Sequence, residues 1–118
     1  MKKVNVFSVE NRLRYLKNDY VIEANLNGSQ CGELAELLDN AVKSKVIEGF
    51  EFTAIRMPWT ICLDNIVLTD DLHKIKALSR DGAYGLCVYG RNARNYLKEI
   101  VNIIQNEYKL NTKTYQLV

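Results

Sequence analysis

A chain of 118 residues is one domain by length, and it can bury a core without metals or disulfides. Apolar residues make up 47% and charged residues 25%, with a formal charge of +2. This is an ordinary globular balance, and without a basic excess or any run of three consecutive Lys or Arg it argues against duplex nucleic acid as a partner.

The opening MKKVNVFSVENRL is basic, but Asn5, Glu10 and Asn11 interrupt it, so it does not read as a signal peptide. No window approaches the roughly 20 apolar residues that span a bilayer. Cys31, Cys62 and Cys87 are odd in number, far apart and set in apolar segments, which points to reduced, buried thiols and a cytoplasmic protein. Richness in Asn, Lys, Ile and Leu with a single proline suits an AT-rich genome, bacterial or phage.

In chain order, Val4 to Phe7 is a short β-prone run. Residues 8–18 read as a short helix capped by Ser8, with Val9, Leu13 and Leu16 on one face, although Lys17-Asn18-Asp19 would also serve a hairpin. Tyr20 to Leu26 alternates as a half-buried strand does. After Asn27-Gly28-Ser29, the apolar positions Leu34, Leu37, Leu38, Ala41, Val42 and Val46 form one helical stripe. Ser29 is the expected N-cap and Gly49 the expected left-handed C′ residue.

FEFTAIRM and TICLDNIVLT follow as two strands broken at Pro58-Trp59. Thr69 with Asp70 and Asp71 predicts an N-cap and an acidic first turn for a helix bearing Leu72, Ile75 and Leu78, stopped by Asp81-Gly82. Tyr84 to Tyr89 is a strand. Ala93, Leu97, Ile100, Val101, Ile104 and Tyr108 make the cleanest amphipathic helix, Asn111 turns the chain, and Thr112 to Val118 is a last strand. The fold expected is α/β (α+β): one domain, 1–118, with a mixed sheet and about three helices packed mainly on one face. An uncovered sheet face with apolar residues would favour a homo-oligomer, most simply a twofold dimer.

Two strand-to-helix turns share a design, Asn27-Gly28-Ser29 and Gly90-Arg91-Asn92. A helix start offers unpaired N–H groups and partial positive charge, and glycine admits a close ligand. Arg91 and Arg94 place full positive charge at an end where cations are unfavourable, a cost that a bound anion or an acidic neighbour would offset. Neither turn matches GxGxxG or a phosphate-binding loop of the Walker type. The ligand-binding candidates are therefore Gly28, Ser29, Gly90, Arg91, Asn92 and Arg94. Arg56 and Trp59 stand beside them as a cation and an aromatic plane suited to a base and its phosphates.

His73 is the only histidine and has no metal-ligand spacing around it, so no metal and no cofactor are expected. Cys31, in a first helical turn, is the one candidate nucleophile, with His73 as its only histidine partner. The function expected is binding or sequestering a small phosphorylated, nucleotide-like ligand without catalysis. The alternatives are an inhibitor or immunity-type protein that blocks a partner protein, and a small cysteine- or tyrosine-dependent enzyme.

Overall fold

The computed structural model describes residues 1–9, 11–52, 63–80 and 85–118. Of Arg12, Leu63, Asp64, Ser79 and Arg80 it describes the backbone alone. Arg56, Trp59, Cys62, Tyr84, the Pro58-Trp59 break and the Asp81-Gly82 stop lie outside the described residues.

The strands are β1 (Lys2–Val4), β2 (Tyr20–Leu26), β3 (Gly49–Phe52), β4 (Leu63–Thr69), β5 (Leu86–Tyr89) and β6 (Lys113–Leu117). They form one mixed sheet in the order β1-β6-β2-β4-β5-β3. The pairs β1/β6 and β4/β5 are parallel, while β2 is antiparallel to both β4 and β6, and β3 to β5. Thus β1, β4, β5 and β6 end at one edge of the sheet, and β2 and β3 begin there. The helices are α1 (Gly28–Lys43), α2 (Leu72–Arg80) and α3 (Leu97–Asn102).

Alternation along the strands sorts the core into two layers. Ile22, Ala24, Leu26, Ile66, Leu68, Leu86 and Val88 face α1 and α3, meeting Leu34, Leu38, Leu97, Ile100 and Ile104. Val21, Val67, Cys87 and Leu117 face the other way, onto Ile75 and Leu78 of α2 and onto Val6, Leu13 and Leu16. Two of the three helices share one face, as the mixed α/β expectation had it. Because α2 and the N-terminal turns cover part of the second face, Ile66, Val67 and Leu68 are all inaccessible, as are Leu86, Cys87 and Val88. The exposed part of that face carries Glu23 and Asn25. Of the apolar residues that motivated a dimer, Ile66, Val67 and Leu68 are covered within one chain, and residues 53–62 lie outside the described residues.

Local chemistry displaced several expected boundaries. Residues 6–16 form two 3-10 turns, Val6–Ser8 and Asn11–Leu16, in place of a β run and an α-helix. Asn5 caps the first of these turns, its side chain accepting from the Phe7 amide at 2.9 Å, and Ser8, the expected cap, is the last residue of that turn. The N-cap of α1 is Asn27 rather than Ser29, and Gln30 completes a capping box. The helix ends at Ser44 with Lys45 in the left-handed conformation (φ 60°). The Lys45 amide donates to Val42 O and the Val46 amide to Ala41 O, which is a Schellman closure with lysine where glycine was expected. Gly49 instead opens β3, where a side chain would overlap the Tyr89 ring.

Thr69 ends β4, and Asp71 takes the capping role, its carboxylate accepting from the His73 amide at 2.9 Å. The last helical stretch is 3-10 over Ala93–Tyr96, α over Leu97–Asn102 and π over Ile103–Glu107. The wider π turn keeps both Ile103 and Ile104 buried, and Lys109 (φ 57°), not Asn111, makes the left-handed exit.

Candidate functional site

The two similar turns lie at opposite edges of the sheet. Leu26, which precedes Asn27-Gly28-Ser29, pairs with Leu63 at the start of β4. Gly90-Arg91-Asn92 follows the end of β5, level with Thr69 at the end of β4. A strand of the length of β4 separates the two edges by about 20 Å at the usual rise. Gly28 and Ser29 therefore do not join Gly90, Arg91, Asn92 and Arg94 in one site. The same separation divides Cys31, at the start of α1, from His73, at the start of α2, so no cysteine–histidine dyad forms. Cys31 is also buried.

At the first turn a capping box meets two donors of the helix start. The Gln30 amide donates to Asn27 Oδ1 at 2.9 Å, and the Asn27 amide donates to Gln30 Oε1 at 3.0 Å. At the second turn Asn92 is the N-cap residue and makes no side-chain cap bond.

Gly90 organises the second turn. Its φ of 135° excludes most side chains, and a Cβ there would press against the backbone of Glu48. The bare backbone lets the Gly90 amide donate to Thr69 O at 3.1 Å. Beside it, the Glu48 amide donates to Tyr89 O at 3.0 Å. These bonds set the segment after α1 against the end of β5. The result is a cleft of about 510 Å³ lined by Val42, Lys45, Val46, Ile47, Glu48, Arg91 and Asn92. Arg91, Asn92, Lys45 and Glu48 are all exposed. Among the described residues neither Arg91 nor Lys45 has a carboxylate partner. The cleft thus holds two free cations, one carboxylate, an amide and an aliphatic wall.

Arg94 is different. Its guanidinium donates to Asp70 Oδ2 at 3.1 Å and to Asn18 O at 3.0 Å. The unfavourable charge at this helix start is offset by an acid from another element, as the sequence allowed, and Arg94 is committed to protein contacts. Behind it Lys74 Nζ sits 3.1 Å from Asp19 Oδ2 and 3.6 Å from Asp70 Oδ1.

Asp19 is fully buried, and its Oδ1 has no hydrogen-bond partner. Burial pushes its carboxyl up from 3.8 to about 6; the Lys74 hydrogen bond and charge and the Thr69 hydroxyl pull it back, while Asp70 adds to the rise. Nothing in the run Lys17-Asn18-Asp19 announces this burial. It follows from the place of Asp19 at the head of β2, where its carbonyl accepts from the Leu117 amide.

Tyr89, Tyr96 and Tyr108 are half-buried, and burial raises each phenol, that of Tyr108 to about 12. Raised phenols are poor nucleophiles at neutral pH. No helix among the described residues is long and apolar enough to cross a membrane.

Lys45 was not legible as a site residue, because its role depends on how α1 ends. The available signal was a lysine after a serine at the end of the stripe, and Gly49 outweighed it. No family model, curated protein or solved structure matches this chain.

Proposed function

We propose that this domain binds a small phosphorylated, nucleotide-sized anion, with Arg91, Lys45 and Asn92 as its contacts and no catalysis of its own. The carrying observation is that two cations unpaired among the described residues, Arg91 and Lys45, line one cleft at the carboxyl end of β5. β4 and β5 are parallel, and their following helices lie on opposite faces of the sheet. The loops therefore diverge, and the space outside the carboxyl ends of such strands is where open α/β sheets take ligands.

Two features support this choice over a merely solvated surface. Lys45 occupies a left-handed position that costs a non-glycine residue roughly 1 kcal/mol, and a charge useful to a ligand is a reason to keep it there. Val42, Val46 and Ile47 add an apolar wall that suits the organic part of a phosphorylated molecule. Glu48 accepts from hydroxyl or amine donors, and the two cations beside it outweigh its charge on a phosphate. In this reading Gly90 shapes the cleft, Arg94 braces it, and Gly28 and Ser29 take no part. The setting is the cytoplasm of a bacterium or its phage.

A second reading, an inhibitor that docks on a partner protein, is favoured by a separate observation. Phe7 is 69% exposed with the Arg14 guanidinium 5.6 Å from its ring centre, and Tyr15 is 47% exposed. Exposed aromatics beside arginine are typical anchors of protein interfaces. The same patch could seat a second copy of the chain. Native mass spectrometry of protein taken from cells separates the readings: a retained nucleotide-sized mass supports the anion site, and a retained protein supports the inhibitor. An empty monomer that phosphorylated metabolites fail to stabilise against heat removes the first.

A further inference from the structure

Asp19, Asp70, Lys74 and Arg94 come from four segments and meet at the edge where β4 and β5 end. Asp19 heads β2, Asp70 follows β4, Lys74 is in α2, and Arg94 lies in the 3-10 turn before α3. Two carboxylates face two cations, so the group is neutral while both acids are ionised. Lys74 is shared, 3.1 Å from Asp19 and 3.6 Å from Asp70. Asp70 is shared in turn, with Arg94 on its Oδ2 at 3.1 Å. Among the described residues the other groups around Asp19 are uncharged: the Thr69 hydroxyl, the Lys17 carbonyl that accepts from Lys74 at 3.4 Å, and Gln116 of β6, which donates to Asn18 O at 3.4 Å.

The weak link is Asp19, whose Oδ1 is buried without a hydrogen-bond partner. A half-satisfied carboxylate held out of water is relieved by taking up a proton. Once it is neutral, two cations, Lys74 on Oδ1 and Arg94 on Oδ2, share the single charge of Asp70 among the described residues, and their mutual repulsion is no longer offset. Arg94 is tied through Asp70 to the end of β4 and through Asn18 to the turn before β2, so a weaker pair with Asp70 loosens the link between those segments and the Gly90–Asn92 turn.

We infer that these four residues form a proton-operated latch, in which protonation of Asp19 leaves Lys74 and Arg94 to share Asp70 and loosens Arg94 together with the Gly90–Asn92 turn. The latch goes beyond the ligand reading and stands whether or not an anion binds. Burial that holds the Asp19 carboxyl near pH 6 puts its working range between about pH 5 and 7.

His73 is exposed and lies beside Lys74 in sequence, so a variant without its imidazole serves as the control. The test is a carbon-13 carboxyl and amide NMR titration from pH 8 to pH 4 of the whole protein, of His73→Gln and of Lys74→Gln. The expected result is an Asp19 midpoint near 6 in the parent and in His73→Gln, with the amides of residues 90–95 shifting at the same midpoint. In Lys74→Gln the Asp19 midpoint should rise by about 1 unit or more, because its opposite charge is gone. The amides of 90–95 should then stop following it.

Three results would overturn the latch: an Asp19 midpoint in the ordinary range below about 4.5, amides at 90–95 that ignore Asp19, or amides that still follow it without Lys74. Asp19→Asn, which mimics the protonated acid, should give the low-pH spectrum at every pH. The parent titration decides the matter if that variant does not fold.

Discussion

Asn27-Gly28-Ser29 and Gly90-Arg91-Asn92 are nearly the same phrase in sequence and opposite objects in structure. The first is a helix start closed by a reciprocal capping box between Asn27 and Gln30. The second is an uncapped start whose arginines divide the labour, Arg94 to the protein and Arg91 to the cleft. A strand–glycine–polar–helix pattern therefore identifies a turn, and what the turn can bind depends on which donors the chain has already used. The glycines differ as well. Gly28 starts an ordinary α-helix, whereas Gly90 has a φ of 135° and no room for a Cβ.

The largest effects should fall on the helices that follow the two turns. Leu38 in α1 and Ile100 in α3 are both inaccessible, and truncating either to Ala should cost about 2–5 kcal/mol in a denaturant melt. A cost well below 1 kcal/mol at either position would mean that its helix does not pack as described.

Next in size is the latch acid beside the second turn. The folded Asp19 value, about 6, lies above the ordinary 3.8. Its contribution to stability is therefore complete below pH 3.8 and lost as pH rises through about 6. Asp19→Asn should raise stability at pH 8 by at most about 3 kcal/mol, the equivalent of two pKa units, and the gain should shrink toward pH 5. A variant less stable than the parent at pH 8 would show that the Lys74 pair outweighs burial.

The caps sharpen the contrast directly. Asn27→Ala should cost about 1 kcal/mol, because a complete capping box is lost. Asn92→Ala should change stability by no more than a few tenths, because its side chain caps nothing. Equal losses in thermal melts would erase the distinction between the turns. Lys45→Gly is the most diagnostic of the stability changes. Relieving a left-handed lysine should stabilise the empty protein by up to about 1 kcal/mol while weakening any anion response. A gain in stability with the anion response intact would leave Lys45 without a role in the cleft.

Much of the fold was legible because periodicity is a direct print of burial. The stripe Leu34, Leu38, Ala41 and the set Leu97, Ile100, Ile104 are buried as their spacing required. Leu37 sits at the edge of its stripe and is only half-buried. The boundaries were less legible because side chains compete for the same backbone groups. Asn27 outbid Ser29, Lys45 took the left-handed place assigned to Gly49, and Asn5 bent Val6–Ser8 into a 3-10 turn. The site was half legible: charge at residues 91–94 was visible, but its separation into a paired and a free arginine depends on Asp70 across the sheet edge. Strand order set the largest error, since only the antiparallel run of β2 places Gly28 and Ser29 at the far edge.

The most direct measurement is a phosphate and pyrophosphate titration by thermal shift, at ionic strength matched with chloride, on the parent protein, Arg91→Ala and Arg94→Ala. The parent should gain thermal stability as the anion is added, beyond the chloride control. Arg91→Ala should melt at or slightly above the empty parent and lose that gain. Arg94→Ala should start lower, by up to about 1 kcal/mol for an exposed ion pair, yet still respond to the anion. A parent protein indifferent to both anions, or an Arg91→Ala variant that responds as the parent does, would contradict an anion site at the end of β5.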